Sequence, residues 1–210
     1  QITARLGGAE VVVTPVSSNT GFEQLGFERV IRTRIGSPFV IAGMEAARAA
    51  NPGARVVGYE ANGGFLLGFD AELAGPLPAL MTRDSHLPIL AALVAAGEEG
   101  LAALVAGQPA RFTAADRLQD VPAERSAALV AALTADPADF LSPLGAGPLA
   151  ATDTTDGLRL ILEGGRIVHL RPSGNAPELR LYAEAETSEA AQALLAAGLD
   201  LLRARIAAET

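Results

Sequence analysis

Strand and helix signals that alternate along the first half of the chain, and three closely spaced strand signals followed by one long helix in the second, predict two domains. The first is an α/β layered domain, a mixed sheet with helices on both faces. The second is a small α+β domain, an antiparallel sheet with helices packed on one face. The break between them is read at Gly107-Gln108-Pro109, giving domains 1–107 and 108–210.

The elements follow in order. Val11-Val12-Val13-Thr14 is β-branched and ends at Pro15, which reads as a buried strand. Ser17-Ser18-Asn19-Thr20-Gly21 is a polar loop, and Arg29-Val30-Ile31-Arg32-Thr33 a second strand. Ser37-Pro38 opens a helix, with Ser37 as N-cap and Pro38 in the first turn, where its missing N–H costs little. Val40, Met44 and Ala47 share one face, and Asn51-Pro52-Gly53 stops the helix. Arg55 to Glu60 reads as a third strand, leading through Asn62-Gly63-Gly64 into Phe65-Leu66-Leu67. Thr82 to Ala96 predicts a helix, with a shorter one around Leu101 to Val105.

Beyond the break, Ala123 to Leu133 is helical. Leu158 to Leu162, Arg166 to Leu170 and Glu178 to Ala185 read as strands, the first two joined by a Gly164-Gly165 turn. Ser188 caps a final helix whose Leu195, Leu199, Leu202 and Ile206 form one buried stripe.

Composition narrows the functions. Half of the 210 residues are hydrophobic, enough for a sizeable core. Sixteen basic residues, all arginine, stand against 24 acidic ones, for a net charge of −8. That balance argues against nucleic acid and against an anionic membrane surface as partners. The absence of cysteine excludes disulfides, thiol nucleophiles and thiolate metal sites, and two histidines, His86 and His169, make a multi-histidine metal centre a poor fit. The chain begins at Gln1 without a signal-peptide pattern, and its longest apolar run, Leu87 to Ala96, is too short for a bilayer. The expectation is a soluble, cytoplasmic chain without its natural start.

Two loops carry the sharpest chemistry. In Arg171-Pro172-Ser173-Gly174-Asn175-Ala176-Pro177, between two strand signals, Arg171 offers a planar fork suited to a phosphate. Ser173 adds a hydroxyl, Gly174 lets the backbone approach an anion, Asn175 supplies an amide donor, and Arg180 on the next strand faces the same site or pairs with a carboxylate. A plain Pro/Gly turn with a solvated arginine is the alternative. In Gly58-Tyr59-Glu60-Ala61-Asn62-Gly63-Gly64, a strand ends in a carboxylate and an amide among glycines. Glu60 and Asn62 suit adjacent sugar hydroxyls, and Gly63 leaves room for a ring. A simple strand–turn–strand is the alternative. Arg32-Thr33-Arg34-Ile35-Gly36-Ser37 leads into a helix N-terminus, an anion-friendly environment that a solvated arginine pair also explains.

Other segments read as structure. Ser85-His86 are neighbours on a helix and do not face each other, so Asp84 or Ser85 as a cap explains them better than a nucleophile. Asp153 and Asp156-Gly157 lack the spacing of a calcium or magnesium loop and read as a turn, and His169 in a strand reads as structural.

Taken together, these segments resemble the α-D-phosphohexomutases, the phosphomannomutase/phosphoglucomutase superfamily. Arg171 to Arg180 is similar to the phosphate-binding loop of that family's fourth domain. Gly58 to Gly64 is similar to the sugar-binding loop of its third. Val13 to Asn19 and Arg32 to Gly36 match the strand and turn that precede it. The resemblance implies a fragment covering domains III and IV of a phosphomannomutase-type enzyme, an isomerase. Such an enzyme interconverts hexose 6-phosphate and 1-phosphate through a phosphoserine and a hexose 1,6-bisphosphate. Phosphoglucomutase, phosphoglucosamine mutase and a non-catalytic sugar-phosphate-binding module are the alternatives.

The resemblance also implies sugar-binding roles for Glu60, Asn62 and Gly63, phosphate-binding roles for Arg171, Ser173, Gly174, Asn175 and Arg180, and an accessory role for Arg34. The family's serine and aspartate loops belong to its first two domains. No catalytic residue or metal ligand is therefore expected in this chain, which is expected to be inactive alone. Mg2+ and the N-terminal domains of the same parent are implied as its complement. Asn175, Ala176, Asn62, Gly64 and Arg34 depart from the family's usual threonine, glutamate, serine, histidine and lysine.

Overall fold

The computed structural model describes residues 2–72 and 75–208. The chain divides into two compact units, Gln1–Ala110 and Arg111–Thr210.

In the first unit a short helix α1 (Ile2–Leu6) precedes β1 (Val11–Pro15), β2 (Arg29–Thr33), α2 (Ser37–Ala50), β3 (Val56–Tyr59) and β4 (Phe65–Leu67). A two-stranded ribbon, β5 (Ala71–Glu72) with β6 (Pro76–Leu77), leads to β7 (Leu80–Asp84), α3 (His86–Ala96) and α4 (Gly100–Ala106). The sheet order is β2-β1-β3-β4-β7. β1 pairs parallel with β2 and β3, whereas β3/β4 and β4/β7 are antiparallel, so the sheet is mixed.

Strand alternation sends Val11, Val13 and Val56 to one face, where they pack with Val40 and Met44 of α2. Val12, Val57, Phe65 and Leu67 go to the other, with Ala4, Phe22 and Leu87. Helical segments thus cover both faces, because β1 is buried at every position and β3 at every position but Tyr59.

In the second unit β8 (Phe112–Gln119) is followed by α5 (Ala123–Ala135), α6 (Pro137–Leu144), β9 (Leu149–Asp153), β10 (Leu158–Leu162), β11 (Ile167–Pro172), β12 (Glu178–Ala185) and α7 (Ser188–Ala208). The order is β8-β12-β11-β10-β9, antiparallel throughout. Leu158, Leu160, Leu170, Leu179 and Leu181 are fully buried and join Leu133, Phe140 and Leu202 from the helices in a single core.

Three local expectations are corrected. The segment from Thr82 is not helical at its start: Leu80 to Asp84 is a strand, with Phe65 opposite Asp84 and Leu67 opposite Leu80. Pairing along the exposed edge of β4 overrides local helix propensity there. The helix begins at His86, where the Asp84 carboxylate accepts the His86 N–H at 2.8 Å and the Leu87 N–H at 3.3 Å. Ser85 makes no capping bond. At α2 the N-cap is Gly36, and Ser37 is the first helical residue with its hydroxyl directed elsewhere. The polar loop after β1 holds a 3-10 turn, Thr20–Leu25, capped by Asn19.

Candidate functional site

Each unit contains one of the two loops singled out in the sequence, and each is described within its own unit.

The loop after β11 begins at Arg171. Its guanidinium is ion-paired rather than freely solvated: Nε donates to Asp156 Oδ2 at 2.9 Å, with side chains 16% and 11% exposed. Asp156 lies in the turn between β9 and β10, so β-sheet pairing of β10 with β11 brings it beside Arg171. Ser173 is buried. Its N–H bonds the Glu178 carbonyl at 2.9 Å, closing the loop, and its hydroxyl accepts the Asn175 N–H at 3.4 Å. Gly174 and Asn175 are exposed at the tip, and a side chain at Gly174 would meet no atom within 4 Å. Nothing inside the protein demands glycine there; the space it leaves is outward.

The register places three arginines abreast. Arg171 is opposite Arg180, and Arg180 is opposite Arg117, on three adjacent strands and one face. Like charges directly across a sheet repel. Two carboxylates moderate the row: Glu178 pairs with Arg117 at 3.0 Å and with Arg180 at 3.2 Å, and Asp156 pairs with Arg171. Three cations against two anions leave one net positive charge beside an open loop.

His169 shares that face two residues before Arg171. It is 1% exposed and stacks on Tyr182 with centroids 5.3 Å apart. A ring nitrogen, Nε2, lies 2.6 Å from the Asp156 carbonyl oxygen, which it engages as donor. Burial pushes its pKa below the usual histidine value, with nearby Arg159 and Arg171 adding to the effect. The ring is therefore neutral at pH 7.

In the first unit, Glu60 follows β3 and is buried. Ser37 donates its hydroxyl proton to Glu60 Oε2 at 2.6 Å, and Arg83 Nη1 lies 3.6 Å from the same oxygen. The helix start before Glu60 and the strand after it thus hold the carboxylate. Asn62 Oδ1 accepts the Gly64 N–H at 3.1 Å, and the Gly63 N–H bonds the Glu60 carbonyl at 3.1 Å, shaping a tight turn with Gly63 at φ +92°. Asn62, Gly64, Thr82, Arg83 and Ser85 line a polar cavity of about 530 Å³. Arg34 sits apart from these bonds, its guanidinium 4.8 Å from the centroid of the Phe39 ring.

Sequence reasoning missed Asp156, Ser37 and Arg83 as partners of the loops. Arg83 was hidden by the helix expectation, and Ser37 by its assignment as a cap. Among the described residues no group of three His, Cys, Asp or Glu is arranged to hold a metal ion, and no single helix is long and apolar enough to cross a membrane.

Comparison with known proteins gives the same two-part division. Residues 1–112 match the phosphoglucomutase/phosphomannomutase alpha/beta/alpha domain III, and residues 111–201 match the C-terminal domain of the same family. A phosphomannomutase of Sinorhizobium fredii is 49% identical over 205 residues, covering 96% of this chain and 43% of that protein. A phosphomannomutase of Salmonella muenchen is 43% identical over 185 residues, covering 86% of this chain and 38% of that protein. A phosphoglucomutase/phosphomannomutase family protein from Burkholderia thailandensis superposes with a TM-score of 0.66 at 20% identity, over 99% of this chain and 40% of the other. The Aspergillus fumigatus N-acetylphosphoglucosamine mutase, solved with GlcNAc-6P and magnesium, gives 0.58 at 14% identity, over 95% and 44%.

The chain therefore belongs to the phosphoglucomutase/phosphomannomutase family and carries its domain III and C-terminal domain. It spans less than half the length of the curated relatives it matches.

Proposed function

We propose that this chain is the sugar- and phosphate-holding part of a phosphomannomutase-type enzyme, acting on hexose phosphates in the cytoplasm. The observation that supports this most is the row Arg117, Arg180 and Arg171, with its net positive charge at the open loop 173–175. Arg171, Ser173, Gly174, Asn175 and Arg180 hold the phosphate that is not reacting. Glu60, Asn62 and Gly63 hold the sugar hydroxyls, with Glu60 at the base of the turn and Arg34 as an accessory cation. Mannose is favoured as the sugar because both curated relatives are phosphomannomutases.

A tightly held remote phosphate orients the reacting end, which is most of what phosphoryl transfer asks of a protein. The phosphoserine, the Mg2+ and the handling of the 1,6-bisphosphate belong, on this reading, to the rest of a longer protein. No step of that chemistry is assigned to a residue of this chain. A relative of this fold solved with glucose 1,6-bisphosphate is in keeping with such a ligand.

The test is calorimetric titration of the 210-residue chain with mannose 1-phosphate and glucose 1-phosphate. Binding is expected, and Arg171→Ala is expected to weaken it by about 1.5–3 kcal/mol, the worth of charge-assisted hydrogen bonds. An unchanged isotherm for Arg171→Ala refutes the phosphate assignment. No mutase turnover is expected from the chain alone, and measured turnover refutes that part.

A further inference from the structure

We propose that Asp156 is a positioning residue for the phosphate end of the site. It holds Arg171 by its Nε edge so that the guanidinium stays ready for the ligand. The proposal rests on the phosphate reading of loop 171–177 and names a residue that reading leaves out.

A guanidinium carries five N–H donors. The bond to Asp156 uses Nε, and the remaining four donors sit on Nη1 and Nη2, the end suited to two phosphate oxygens. A free arginine side chain loses rotamer entropy when it grips a ligand. With the side chains 16% and 11% exposed and 2.9 Å apart, that ordering is already done here.

Asp156 is itself held by backbone. His169, buried and stacked on Tyr182, bonds the Asp156 carbonyl at 2.6 Å. The next residue, Gly157, has φ +86° and lies so close to β11 that an added Cβ would sit 2.2 Å from the Leu170 carbonyl oxygen and 3.0 Å from Arg171 Cα. The turn is thus clamped onto the strand at the point where the phosphate loop begins. Only a glycine fits at 157.

Charge alone predicts the opposite of positioning. Asp156 offsets part of the positive row, so if it acted only electrostatically its removal would strengthen attraction for a phosphate dianion. Positioning predicts weaker binding.

The experiment titrates the 210-residue chain with mannose 1-phosphate. Asp156→Ala is expected to bind about tenfold more weakly, as for loss of one charge-assisted contact. Asp156→Asn, which keeps an oxygen acceptor for Nε–H, is expected to recover most of that loss. In an Arg171→Ala background, Asp156→Ala is expected to change nothing further, because its effect runs through the guanidinium. Should Asp156→Ala not fold, Asp156→Glu keeps the charge and displaces the oxygen, and weaker binding is expected again.

Unchanged or tighter binding by Asp156→Ala, or by Asp156→Glu in its place, overturns the positioning role while leaving the phosphate reading intact. An Asp156→Ala loss that persists undiminished in the Arg171→Ala background does the same. Absence of binding by the unsubstituted chain, or binding that Arg171→Ala does not weaken, overturns the phosphate reading and this proposal with it.

Discussion

In the first unit the proposed site centres on an anion, Glu60, held by the Ser37 hydroxyl and faced by the Arg83 cation. In the second it centres on a cation, Arg171, held by the Asp156 anion. The supports differ as much as the signs. Glu60 leans on side chains from a helix start and a strand. Arg171 leans on a turn fixed to the backbone of the neighbouring strand. The first arrangement is expected to give when a neighbour is changed, and the second to resist.

The sharpest test of that contrast is a pair of glycine substitutions. Gly157→Ala adds a Cβ to a left-handed residue, 2.2 Å from a carbonyl oxygen, and is expected to destabilise the second unit by about 2–4 kcal/mol in urea unfolding. Gly64→Ala places its Cβ 2.8 Å from Arg83 Cδ, a flexible side chain at a residue without positive φ. It is expected to cost less than about 1 kcal/mol while displacing Arg83. Equal losses at the two positions would erase the distinction.

A middle-sized effect is expected at Ser37. Ser37→Ala leaves the buried Glu60 carboxylate without its 2.6 Å hydroxyl donor and is expected to cost about 1–2 kcal/mol of stability in the same assay. Arg83 limits the loss by remaining near the same oxygen. A cost near zero would mean that Arg83 alone sustains Glu60.

The smallest effect is a pH dependence confined to the second unit. Burial lowers the His169 pKa below its ordinary 6.5, so the unfolded chain binds a proton that the folded chain refuses. The stabilising contribution is complete above pH 6.5. It is lost progressively as pH falls from there through the lower folded value. Urea unfolding of the wild type and His169→Gln at pH 7.5 and 5.5 reads this directly. The wild type is expected to lose more stability than the variant on acidification, and parallel losses would remove His169 as the cause.

Much of this architecture was legible in the chain. β2, β4, β10 and β12 lie where β-branched or apolar runs placed them, whereas α7 starts one residue earlier than its capping signal indicated: Ser188 is its first helical residue, and the Thr187 hydroxyl accepts the Ala190 N–H at 3.1 Å as the cap. Among the strands that gave no signal are the two edges of the second sheet. β8 buries only Leu118, and β9 is exposed along nearly its whole length, so neither shows the alternation that marks a half-buried strand. The two loops of the proposed site were visible as residue types. Their partners were not. Asp156 meets Arg171 because β10 folds back on β11, and Glu60 meets Ser37 across 23 residues of helix and strand. Spacing along a sequence does not encode such meetings, and the arginine row exists only once strand register is known.

That row is built of guanidinium groups. On the proposed reading it is the protein side of a phosphate site. What varies is the guest, since a phosphate monoester gains its second negative charge near pH 6. Avidity for such an ester should climb as the ester ionises and then level off, and added electrolyte should blunt it by shielding the cations.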